Sequence, residues 1–139
     1  MAVKNKMRIY LAYWQRPLLS DGRGGYHVGL ILSPKHSGTS PGDITMVYHA
    51  VCNISIIQSR IVESWVFVHK IKAKPWPPTT TFHGCMLLGK VAPNFKVDHI
   101  TEMLRNVDVP SPERAEETGW CCRNWVCDAM KVSTHNNTL

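Results

Sequence analysis

The chain has 139 residues, of which 44% are apolar and 19% charged, with a formal charge of +6. Those values suit one globular domain with its own core and exclude a disordered or collagen-like chain. The basic residues are scattered, with Lys70, Lys72 and Lys74 the one stripe, and no zinc-finger or RNA-binding aromatic pattern goes with them, so nucleic acid is an unlikely partner.

Arg8 to Trp14 is rich in β-branched and aromatic residues and reads as a strand that Pro17 stops. Leu18 to Gly25 carries the turn pairs Asp21-Gly22 and Gly24-Gly25. Tyr26 to Leu32 is a second strand. Its period of two puts His27, Gly29 and Ile31 on one face and Tyr26, Val28, Leu30 and Leu32 on the other. A polar loop, Ser33 to Gly42, leads to a third strand over Ile44–Val51, and alternation continues through Ile54–Lys72. Pro75-Trp-Pro-Pro78 and the threonines after it form a loop, and Cys85–Val91 is a buried strand.

The period then changes. Val97, Ile100 and Leu104 recur at helical spacing, with Asn94 as a possible cap and Asp108 and Pro110 beyond the end. Residues 108 to 119 read as an acidic loop. A second helix follows over about Cys121–Lys131, with Trp125, Val126, Ala129 and Met130 as its apolar stripe, and His135–Leu139 is a frayed tail. The expected architecture is a single α+β domain, an antiparallel sheet followed by two helices.

There are five cysteines, an odd number without framework spacing, which reads as reduced thiols in an intracellular protein. No run of about 18 apolar residues occurs, so no membrane span is expected, and Met1–Arg8 lacks the apolar stretch of a secretory signal. The expected location is cytoplasmic. Cys121, Cys122 and Cys127 match no zinc-binding spacing, so neither a metal nor another cofactor is expected.

Cys122 stands where the second helix begins. A helix N-terminus favours a thiolate through its unpaired N–H groups, and a nearby imidazole would take the proton. Cys122 shares a helical face with Val126 and Ala129 that points inward, where a strand residue such as His27 could meet it. His49, on the next strand, could orient the imidazole of His27. Against this stands a plainer reading in which Cys122 is a small core residue and both histidines are structural.

The order of Tyr26-His27-Val28-Gly29-Leu30, Tyr48-His49 and Trp120-Cys121-Cys122-Arg123-Asn124-Trp125-Val126 resembles the circularly permuted papain-like proteins. These include NlpC-related hydrolases, the lecithin:retinol acyltransferase group and the PPPDE peptidases. The likeness is closest to a group of small fungal proteins with a Trp-x-Cys-x-x-Trp-Val signature. The resemblance implies a permuted papain-like fold with Cys122 as nucleophile, His27 as base and His49 as the orienting residue. Many such proteins carry Asn before the cysteine, where this chain has Cys121, so the nucleophile lies between two neighbours. The implied function is a thiol-dependent hydrolase or acyltransferase acting on a peptide, amide or thioester. The alternative is a non-catalytic interaction domain on the same fold, with the Trp76 loop as a contact surface. The oligomeric state is not legible.

Overall fold

The computed structural model describes residues 7–15, 26–34, 45–72 and 82–135. Five strands form one antiparallel sheet: β1 (Met7–Gln15), β2 (Tyr26–Pro34), β3 (Thr45–Ile57), β4 (Arg60–Lys72) and β5 (Phe82–Lys90), in the order β4-β3-β2-β1-β5. Three helices follow: α1 (Val97–Arg105), α2 (Pro112–Thr118) and α3 (Cys122–His135). The α+β expectation therefore holds, with one helix more than the sequence reading placed.

The additional helix, α2, occupies the segment read as an acidic loop. Its signals are local and complete. Ser111 caps the N-terminus by accepting a hydrogen bond from the Arg114 N–H at 3.3 Å, and Pro112 fills the first turn, where its missing N–H costs nothing. Gly119 ends the helix at a φ of 68°, a left-handed conformation that glycine adopts without a Cβ penalty. Helix α1 starts at Val97 with Lys96 as its cap residue, so Asn94 does not cap it. Helix α3 runs to His135 with Ser133 buried against the Ala129 carbonyl. The loop around Trp76, expected as a contact surface, lies outside the described residues.

All the helices that pack on the sheet cover the same face. Leu30 and Leu32 of β2, with Met46, Tyr48 and Ala50 of β3, meet Ile100 and Leu104 of α1 and Trp125, Val126 and Ala129 of α3. Trp65 and Phe67 extend this face onto β4, where Trp120 and Trp125 pack against them. Strand alternation sends the intervening residues the other way. Ala12, Ile31 and Val47 form a smaller buried cluster on that opposite face, flanked by Tyr10, Trp14 and Cys85.

The strands differ in how far they are paired. The β2–β3 ladder covers only Leu30↔Tyr48 to Leu32↔Met46, whereas β3 and β4 pair along all thirteen residues of each. The far end of β3–β4 is thus a two-stranded ribbon closed by Gln58 and Ser59, whose φ angles are 51° and 61°. Positive φ at both central residues is the signature of a type I′ hairpin turn, and neither residue is one that adopts it cheaply. Replacing Gln58→Asn together with Ser59→Gly is expected to raise unfolding stability by about 1 kcal/mol, with an unchanged denaturant slope in urea. A loss of stability would show that this turn does not constrain the ribbon as described.

Candidate functional site

The two neighbouring cysteines occupy different environments. Cys121 is the cap residue of α3, since its carbonyl accepts hydrogen bonds from the Asn124 and Trp125 N–H groups at 3.0 and 3.3 Å. Asn124 reaches back and accepts from the Cys121 N–H at 2.9 Å, a reciprocal cap like a capping box. The Cys121 thiol is partly exposed and 3.5 Å from the same Asn124 oxygen. Burial pushes its pKa up, but hydrogen bonds from the Arg123 side chain and from the Arg123 and Asn124 backbone outweigh this and hold the thiol below its ordinary value. Cys122, one residue on, is 2% exposed and sits on the inward face of α3 with Trp125, Val126 and Ala129.

The two histidines meet. His27 Nε2 lies 2.7 Å from His49 Nδ1, and the rings are 5.0 Å apart, edge to face. One proton bridges the two nitrogens, so the pair cannot easily carry two charges. Trp14 packs beside both rings, at 5.7 Å from His27 and 6.0 Å from His49. Gly29 is what lets the strands come this close. A Cβ there would lie 2.8 Å from the Tyr48 carbonyl oxygen and 2.9 Å from the His49 Cβ. Burial lowers the pKa of His49 to about 4, helped by His27 and by Lys70 on β4. Its Nε2 is buried without a hydrogen-bond partner among the described residues.

The fold brings His27 to His49. His27 pairs with Trp14 across β1 and β2, on the face of Ala12, Ile31 and Val47. Cys122 belongs to α3, which covers the face of Leu30, Tyr48 and Ala50. The core-facing side of α3 and the imidazoles therefore stand on opposite sides of the sheet. Of the expected Cys122–His27–His49 constellation, the two histidines are in contact, and strand parity sets both on the sheet face opposite the one that Trp125, Val126 and Ala129 of α3 cover. Leu30 and Leu32 claim the helices, and His27 is an odd number of residues away from both. The thiol held toward its reactive form is Cys121, and Arg123 and Asn124 act on it rather than a histidine.

A shallow concavity of about 340 Å³ lies between α1 and the end of the sheet, lined by His69, Ile71, Asp98, Glu102 and Arg105 among others. Neither Cys122 nor His27 lines it. None of the five cysteines is in a disulfide. Among the described residues no cluster of three or more His, Cys, Asp or Glu is placed to hold a metal ion, and no helix is long and apolar enough to cross a membrane.

Residues 6–139 match the profile of a family of unknown function, DUF6914. The chain belongs to that family. No curated protein and no solved structure matches it.

The residues of the Trp-x-Cys-x-x-Trp-Val signature have packing roles. Trp120 meets Trp65 edge to face at 5.6 Å, Trp125 lies 5.7 Å from Phe67, and Val126 is buried in the same core. Together they fasten the start of α3 to β3 and β4. The capping role of Asn124 was not anticipated, although an Asn three residues after a helix-opening position is a readable signal.

The low pKa of His49 gives a pH dependence with a definite sign. As pH falls, the unfolded chain takes up the proton near 6.5 while the folded chain resists until about 4. The unfolded state then binds more protons, so stability falls across that window and levels off below it. The loss from this one group is at most about 3 kcal/mol, reduced by the partial contact of the pair with solvent. Urea titrations from pH 7 to 4 should show this slope in the wild type and a flatter one in His49→Gln. Equal slopes in both would remove His49 as the source. Gly29→Ala should cost about 1–3 kcal/mol in the same assay, because the obstructing atoms include backbone.

Proposed function

We propose that this chain is a protein-interaction domain whose contact element is the β3–β4 ribbon. The observation that carries the reading is the ribbon itself. Ile54, Ile56, Ile57 and Ile61 are 69%, 76%, 55% and 75% exposed, on a hairpin that extends past the ladder with β2. Ile56 faces Ile61 across the hairpin, and Ile54 lies on the same side, in line with Trp65 and Trp120 nearer the core. Scattered apolar residues on a surface need no explanation, but four isoleucines gathered at one projecting tip do. An isolated two-stranded hairpin is marginal in water, and covering these side chains would stabilise it.

The thiol hydrolase or acyltransferase reading needs a sulfur and an imidazole nitrogen within about 4 Å. The helix that carries Cys122 covers the sheet face opposite His27, which argues against that pairing. A second reading keeps thiol chemistry but moves it to Cys121, favoured by the lowered pKa that Arg123 and the helix start confer there. It lacks a general base among the groups that act on Cys121.

Iodoacetamide labelling of each cysteine against pH, read by peptide mass spectrometry, separates these readings. The interaction reading expects Cys122 to react only on unfolding, and expects the Cys121 profile to be the same in wild type and His27→Ala. A photo-crosslinker at position 56 should give one discrete protein adduct that Ile54→Ser with Ile61→Ser abolishes. Loss of labelling at Cys122 or Cys121 in folded His27→Ala, together with thioester cleavage by the wild type, would return the chain to the hydrolase class.

A further inference from the structure

We infer that β4 is a self-association edge, and that two copies of this chain join their sheets through antiparallel pairing of β4 with β4 about a two-fold axis near Val66. The inference names a partner for one side of the surface described above, and it rests on that reading only through Ile61.

Strand β4 is the outermost strand of the sheet and runs thirteen residues without a break in its register against β3. Among the described residues nothing pairs with its outer backbone edge. Natural sheets blunt such edges with bulges, prolines or charges in mid-strand, because a row of unpaired N–H and C=O groups is a template for another strand. The middle of β4, Ser64-Trp65-Val66-Phe67-Val68, has none of these. The charges are at its ends.

The sequence of β4 is complementary to itself in one register. Pairing centred on Val66 keeps the helix-covered face of both copies on the same side. It sets Ile61 opposite Ile71 of the second copy, and by symmetry Ile71 opposite Ile61. These residues are 75% and 66% exposed in the single chain. The same register sets Glu63 opposite His69 of the second copy, where His69 accepts from Arg105 at 3.2 Å, so a carboxylate meets a basic pair. Ile71 also lines the cleft beside α1, which the second copy's Ile61 would border. Arg60 and Lys72 fall opposite one another and limit the pairing at both ends. A two-fold operator makes each contact twice from one patch, as closed dimers do.

Light scattering after size-exclusion chromatography is expected to give twice the 15.7 kDa chain mass for the wild type. Ile61→Asp alone and Ile71→Lys alone should each give monomer, with circular dichroism and melting confirming a folded chain. The two substitutions in one chain set Asp against Lys at both contacts and should restore the dimer. So should mixing the two single variants. Ile54→Ser with Ile56→Ser changes β3, one strand inside the pairing edge, and should leave the dimer intact, even if it abolishes the crosslink at the ribbon tip. A monomeric wild type overturns the inference. A dimer that survives both single substitutions, or that the double substitution fails to restore, overturns the assigned edge and register. Loss of the dimer only on changing Ile54 and Ile56 would place self-association at the tip and not at the edge.

Discussion

Trp125 is fully buried between α3 and Phe67 of β4, and this packing decides which face of the sheet the helices cover. An indole of that size removes about 150–250 Å² from water, worth about 4–6 kcal/mol as an upper figure. Its Nε1 is buried without a hydrogen-bond partner among the described residues, which offsets part of that gain. Trp120 against Trp65 adds a second fastening at the start of the helix. With α3 seated there, Val126 and Ala129 join the Leu30–Tyr48–Ala50 layer, and every residue of opposite parity on β2 and β3 must face away from the helix.

The histidine pair is a consequence of that parity. His27 and His49 are left on the face with Trp14, and Gly29 removes the one Cβ that would keep their strands apart. A half-buried imidazole pair holding one proton is a polar contact in a mostly apolar layer, and it resists the second charge that acid imposes. Its effect is on the pH range in which the sheet is stable.

The exposed end of the molecule has a different logic. The β2–β3 ladder stops at Tyr48, so β3 and β4 continue alone, and the residues that would be core in a wider sheet are left in water. The strained turn at Gln58 and Ser59 keeps this ribbon two strands wide. Ile54 and Ile56 crown the tip, whereas Ile61 and Ile71 flank the edge of β4. An apolar tip and a long edge without charges in its middle are two separate invitations to contact, and they can be removed separately.

Strand identities were legible in the sequence because alternation and β-branched content are local, and so was α1 from its 3.6-residue spacing. So was the start of α3, where Cys121 and Cys122 fall at the first turn. Helix α2 was equally local in its Ser111-Pro112 start and Gly119 end, and was missed because its seven residues carry too little apolar periodicity to outweigh three glutamates. The meeting of His27 with His49 followed from adjacent strands and shared parity. What the sequence could not determine was which face of the sheet the helices would choose. That choice depends on summed burial over Leu30, Leu32, Tyr48, Phe67 and Trp125, residues far apart in the chain. It set α3, the helix that carries Cys122, on the side of the sheet opposite His27, and only the tertiary structure could decide it.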